Sequence, residues 1–258
     1  MDIFMLLFLT LVASMANTAF AVPAVLGGGF PSTTSGVVNS GVEGIIADPT
    51  LPPQKTGGMD YNPEDISRGP DLATFTVINK HTANISTSHQ CGAGAPTAVS
   101  GFVGEGTMAP NASSAFAVPW NWTGNVAVID AAYSLTGDVS LIEANYVQTW
   151  TSQVAVVDVD ISYVNGFTLP IICSCDGKVV TGCIKDLFAL GDCPKMDDQN
   201  ACINPERGDN VTNTAVTFFQ PCQGEAYTFP NDHGANSYGE CQSGSVTCCV
   251  GMACGLGE

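Results

Sequence analysis

The residues able to do chemistry are few and mostly acidic. Asp158, Asp160 and Ser162 alternate with Val157, Val159 and Ile161. That period of two puts the carboxylates on one face of a strand and the branched apolar residues on the other. The apolar face belongs to a core, so Asp160 is expected to point away from it, as a cleft residue would. A carboxylate beside a second one can do acid–base work, because mutual repulsion keeps one protonated while the other ionises. An outward Asp on a strand is also, in the plain reading, a solvated residue. Other constellations carry less. His81, His89 and His233 have no neighbouring Ser or Cys in a triad-like pattern. The glycine clusters precede no helix and Lys, so no phosphate loop is expected. Cys173-Ser174-Cys175 and Cys248-Cys249 with Cys254 lack the C-x-x-C pairs of a zinc site. Neither a metal nor another cofactor is expected.

The cysteines point to disulfides instead. The chain carries 11, and all but Cys91 follow Ile172, a density suited to an oxidising compartment. The odd count leaves at least one thiol free or paired outside the chain. Residues 1–21 read as a signal peptide, with an apolar stretch over 3–13 and the small-x-small site Ala19-Phe20-Ala21. Its start lacks Lys and Arg, and the apolar run is short for a membrane span. The expectation is a secreted, extracellular or cell-wall protein with no membrane partner. N-x-S/T sequons make Asn84, Asn111, Asn121 and Asn210 candidate glycosylation sites. With 24 acidic against 7 basic residues and a net charge of -17, the chain repels a phosphate backbone, which excludes nucleic acid as a partner. An uncharged polysaccharide is compatible with this charge.

The chemistry must be positioned by strands. Residues 22–70 are rich in Gly, Pro, Ser and Thr without sustained period, and read as a flexible leader or linker. Strands are predicted over 73–79, 114–118, 125–133, 140–146, 154–163, 178–180, 215–219, 226–229 and 245–250, with a short helix over 184–190. An all-β sandwich over 71–258 follows, with an upstream β core and a smaller disulfide-rich loop region from Cys173 onward.

Three segments carry a family likeness: Ala73-Thr74-Phe75-Thr76-Val77-Ile78-Asn79, Asp160-Ile161-Ser162-Tyr163-Val164-Asn165-Gly166-Phe167-Thr168-Leu169-Pro170-Ile171, and Cys222-Gln223-Gly224-Glu225-Ala226-Tyr227-Thr228-Phe229-Pro230-Asn231-Asp232. In this order they resemble the opening strand, the central signature and a late signature of thaumatin-like proteins, in the small, cysteine-reduced form. The resemblance implies a β-sandwich with a cleft beside a disulfide-rich region, monomeric and in many members directed at cell-wall β-1,3-glucan. Carried over by position, it makes Glu143 and Asp160 the candidate catalytic pair. Asp232, His233 and Asn165 fall in the acidic cleft, His233 and Asn165 standing where the family has Asp, and Val128 where it has Arg. His81 stands where the family has its first cysteine. The resemblance pairs Cys183 with Cys222, Cys193 with Cys202, and Cys241 with Cys173 or Cys175. Trp120, Trp122, Tyr163 and Phe167 are candidate sugar-stacking rings, with core the plainer reading of each because aromatics dominate β cores. The function expected is binding of β-1,3-glucan or another cell-wall polysaccharide with little or no hydrolysis. The alternatives are a weak endo-β-1,3-glucanase using Glu143 and Asp160, and a non-catalytic protein-interaction scaffold.

Overall fold

The computed structural model describes residues 70–101, 104–148 and 155–255. The signal peptide and all of the leader but Pro70 lie outside them. In chain order the strands are β1 Leu72–Asn79, β2 Ile85–Cys91, β3 Gly104–Met108, β4 Ser113–Pro119, β5 Thr123–Asp130, β6 Ser140–Gln148 and β7 Ala155–Ser162. They continue with β8 Gly166–Phe167, β9 Ile171–Cys175, β10 Lys178–Cys183, β11 Cys202–Ile203 and β12 Ser245–Val250. The α-helix among the described residues, α1, is the single turn Leu187–Leu190. The protein is all-β.

Two five-stranded sheets face each other. The first has the order β10-β9-β12-β1-β4 and the second β3-β2-β5-β6-β7, with a two-stranded β11-β8 pair beside them. In the first sheet β1 runs parallel to β12 and antiparallel to β4. The alternation in β1 buries Ala73, Phe75 and Val77 on one face. These meet Phe116 and Val118 from β4, and Val126, Ile142, Val157, Val159 and Ile161 from the second sheet, in one core. Asn79 ends β1 as a buried turn former: its Nδ2 donates to the carbonyls of Ala83 and Met108, and its Oδ1 accepts from the His81 amide.

The two predicted parts are not separate. β9, β10 and β12, all from the cysteine-rich stretch, complete the sheet that β1 opens. Five disulfides, Cys173–Cys248, Cys175–Cys241, Cys183–Cys222, Cys193–Cys202 and Cys249–Cys254, close this region, and Cys91 is free and exposed. Such a set persists in an oxidising compartment. His81 Nε2 lies within hydrogen-bond distance of Asp130 Oδ2, at 3.1 Å, while Cys254 bonds Cys249.

Two predicted strands are absent. Residues 215–219 form a turn into the 3-10 helix Gln220–Cys222, with the amides of Phe219 and Gln220 both donating to the Val216 carbonyl. Phe218 and Phe219 are both buried in this turn. Residues 226–229 make only isolated bridges, because Asp232 captures the Thr228 amide and closes a turn. The predicted helix shortens to α1, since Asp186 caps it by accepting from the amides of Phe188 and Ala189.

Candidate functional site

β6 and β7 pair so that Glu143 lies directly opposite Asp160, and Asn145 opposite Asp158. On the other side of β6, Asn125 of β5 is opposite Glu143, and Gln90 of β2 is opposite Asn125. A row Gln90–Asn125–Glu143–Asp160 therefore crosses four strands. All lie on the face opposite Val126, Ile142, Ala144, Val157, Val159 and Ile161, which are core. Directly opposed residues on neighbouring strands have Cβ atoms about 4.5–5.5 Å apart. Glu143 and Asp160 are thus brought together on one face.

Contrary to the sequence expectation, this face is not solvated at its acids, although Gln90 at the end of the row is exposed. Glu143 is 7% exposed, Asp158 2% and Asp160 5%. A segment running from Tyr227 to Cys241 lies along β7. The Tyr227 amide donates to the Ile161 carbonyl at 2.8 Å, the Tyr163 amide to Tyr227 at 2.7 Å, and the Val157 amide to Cys241 at 2.9 Å. Within it the Ser237 amide donates to Asp160 Oδ1 at 2.9 Å, and Ser237 Oγ donates to the Val159 carbonyl. The outward face of β7 is outward only with respect to the sandwich core. A loop, invisible to the two-residue period, covers it.

Burial sets the electrostatics. Removal from water, opposed in part by a hydrogen bond from Asn145, pushes the Asp158 carboxyl up to about 7. Burial also holds Asp160 well above the carboxylate range, aided by the charges of Asp158 and Glu143 and resisted by the Ser237 amide. Tyr227 and Tyr238 cover the same cluster. Burial raises both phenols, and the Asp160 charge adds to it at Tyr227 as the Asp158 charge does at Tyr238. Asp158 Oδ1 and the Tyr238 hydroxyl are buried without a hydrogen-bond partner. The arrangement can hold a proton on Asp160 beside a second carboxyl group.

The other predicted site residues lie apart from this row. Asp232 Oδ2 accepts from the Gly224 amide at 3.2 Å, the Thr228 amide at 3.2 Å and Thr228 Oγ1 at 2.7 Å. It is a turn anchor and is not among the charges acting on Asp160 or Tyr227. His233 is exposed at the start of the 3-10 helix His233–Ala235. Asn165 is half-buried in the turn between β7 and β8, its carbonyl taking the Asn204 amide at 3.1 Å. The next residue must be glycine: a Cβ on Gly166 would lie 2.2 Å from the Asp138 carbonyl oxygen. Val128 is fully buried in the core, so no cation stands over the acids from that position. Trp122, Tyr163 and Phe167 are core, with 1% exposure or less, and half-buried Trp120 packs on Tyr146 with ring centroids 5.2 Å apart. None of the fully buried three is a platform for a sugar.

Sequence reasoning missed Asn125, Asn145, Tyr227, Ser237 and Tyr238. The first two were legible, since Glu143 and Asn145 alternate with Ile142, Ala144 and Tyr146 as the aspartates do with valines. The covering residues left no periodic signal. Of the sequons, Asn84, Asn111 and Asn121 are exposed, the last two with φ of 63° and 62° in turns. Asn210 is half-buried, with its Oδ1 enclosed. Among the described residues no cluster of His, Cys, Asp and Glu is arranged to hold a metal, and no helix is long and apolar enough to cross a membrane.

Fold and site together define a disulfide-stapled β-sandwich with a covered acidic row on one outer face. No family model and no curated protein matches the chain.

Proposed function

We propose that this is a secreted, glycosylated thaumatin-like protein that binds cell-wall β-1,3-glucan with little or no hydrolysis. The likeness in three ordered segments supports the family, and five disulfides support an extracellular setting. The observation that carries the reading is the register Glu143↔Asp160 on the face away from the core. Hydrolysis requires a bond to lie between the two carboxyl groups. Here Asp160 is occupied by the Ser237 amide and covered by the Tyr227–Cys241 segment. The test is co-sedimentation of the purified, oxidised protein with insoluble β-1,3-glucan, with chitin and cellulose as controls. Selective pelleting with the glucan is expected, and pelleting with none of the three overturns the reading.

One observation favours a second reading, a weak endo-β-1,3-glucanase using Glu143 and Asp160. Burial holds the Asp160 carboxyl well above the carboxylate range while Glu143 stands directly opposite, and a protonated acid beside a second carboxyl group is what such chemistry needs. That reading expects new reducing ends from a soluble β-1,3-glucan, abolished by Glu143→Gln or Asp160→Asn. Absence of reducing ends leaves the binding reading alone.

A further inference from the structure

The segment that covers the acids is not held equally along its length. Its first part is built into the fold: Asp232 accepts from Gly224 and Thr228, and the 3-10 helix His233–Ala235 follows. Its far end is fixed at Cys241, which is bridged to Cys175 and whose carbonyl takes the Val157 amide. Between these anchors lie residues 236–240. Two of their bonds close within the stretch itself, from the Tyr238 amide to Asn236 Oδ1 at 2.8 Å and from the Glu240 amide to the Ser237 carbonyl at 2.9 Å. Ser237 fastens the stretch to β7, by its amide on Asp160 Oδ1 at 2.9 Å and its hydroxyl on the Val159 carbonyl. Gly239 sits at φ 85° with open space where a Cβ would be, a point at which the chain can turn freely.

Beneath the stretch lie carboxyl groups without a counter-charge. Glu143 faces it from β6, Asp158 and Asp160 from β7, and the phenols of Tyr227 and Tyr238 from the cover itself. The row's neighbours Asn125 and Asn145 are neutral, and no Lys, Arg or His is among the charges acting on these acids and phenols. His233 is exposed, and Glu240 pairs with Lys178 at 2.7 Å in solvent. Closure also leaves Asp158 Oδ1 and the Tyr238 hydroxyl buried without a partner, although the Asp158 charge reaches that phenol. Burying an ionised carboxylate without a counter-charge is costly. The covered face therefore suits neutral acids, and ionised ones repel each other and gain water when it is uncovered. The Ser237 amide opposes this at Asp160, but the carbonyl oxygen of a neutral acid accepts that bond too.

We propose that residues 236–240 form a pH-operated flap, closed on the protonated acids and lifted as they ionise, so that the acidic row opens as the pH rises. Linkage gives the direction. Under the flap Asp158 keeps its proton up to about 7, against an ordinary value of 3.8 in water, and Asp160 shifts the same way. Closure is at full strength below pH 3.8 and weakens as the pH rises to about 7. That the opened row then meets glucan rests on the binding reading above. The motion itself does not.

The experiment is amide hydrogen exchange of the purified, oxidised protein at pH 5 and pH 8, each rate referred to the intrinsic rate at that pH. Protection of the Ser237 amide should fall by at least about tenfold between the two, and at pH 8 should lie well below that of the β12 amides. The double variant Asp158→Asn, Asp160→Asn should abolish the fall. Equal Ser237 protection at both pH values overturns the flap. So does Ser237 protection equal to that of β12 at pH 8, because the stretch would then open only with the whole sandwich. A fall that survives the double variant overturns the acids as its trigger. The unaltered protein decides the matter even if the double variant fails to fold. Exchange is measured without glucan, so a flap that lifts in a protein that retains no glucan sinks the binding reading alone.

Discussion

The first sheet carries Cys173 and Cys175 on β9, Cys183 on β10, and Cys248 and Cys249 on β12, all in bridges. The second sheet has no bridge, holds Cys91 as a free thiol, and buries Glu143, Asp158 and Asp160 on its covered face. Cross-links constrain the unfolded chain and so stabilise without needing a favourable native contact. Buried carboxyl groups do the reverse, since each loses water and gains only partial replacement. The two sheets are joined where this matters, because Cys175–Cys241 ties β9 to the segment that seals the acids. The largest effect should come from breaking the long-range bridges. Replacing Cys183 and Cys222, 39 residues apart, by alanine should lower stability by about 4 kcal/mol, against about 2 kcal/mol for Cys249–Cys254, where the separation is only 5. Urea midpoints of the two double variants measure this, and equal losses would contradict a stabilisation set by loop closure.

The acidic face should make stability depend on pH in the opposite sense from a salt-bridged carboxylate. Asp158 holds its proton up to about 7 in the folded protein, against an ordinary value of 3.8. Between those values the folded state binds the proton that the unfolded state releases. The contribution is therefore complete below pH 3.8 and lost as pH rises to about 7. Asp160 shifts in the same direction. For Asp158 alone the loss is about 4 kcal/mol. Asp158→Asn removes the titrating group, so its stability relative to the parent should grow from pH 4 to pH 8. A constant difference across that range would mean that Asp158 titrates normally.

The sequence was most legible where one face is apolar and the chain is regular. The strands at 73–79, 140–146 and 245–250 needed little more than the period of two, and β7 was readable because its valines alternate with polar residues. β2 was missed because Ser86, Thr87, Ser88, His89 and Gln90 hide its alternation behind polar side chains. β3 was missed because Gly104 and Gly106 weaken any strand signal. The acid pair was legible through Asp160, but its burial was not. The cover arrives from residues far along the chain, and the backbone bonds among those that hold it carry no side-chain code. The disulfides had the same limit: Cys183–Cys222 and Cys193–Cys202 followed from the resemblance, whereas Cys173–Cys248 depends on β9 pairing with β12.

The smallest effects come from two neighbours that the resemblance assigned to one cleft. Asp232 and His233 are adjacent in sequence and opposite in physical situation. Asp232 is 4% exposed and satisfies two amides and a hydroxyl with a single oxygen. Asp232→Ala leaves those donors unpaired in a buried turn, at a cost of about 2 kcal/mol, and Asp232→Asn, which keeps an accepting oxygen, should cost less. His233 is exposed, and His233→Ala should fall within about 0.5 kcal/mol of the parent. If both residues face sugar, both alanine variants weaken glucan retention alike. If the turn is what matters, His233→Ala retains glucan as the parent does, while Asp232→Ala loses retention only as far as it loses the fold. Parallel urea and co-sedimentation measurements separate the two cases. Weakened retention in His233→Ala at unchanged stability would extend the sugar-binding face from the sheet onto the covering loop.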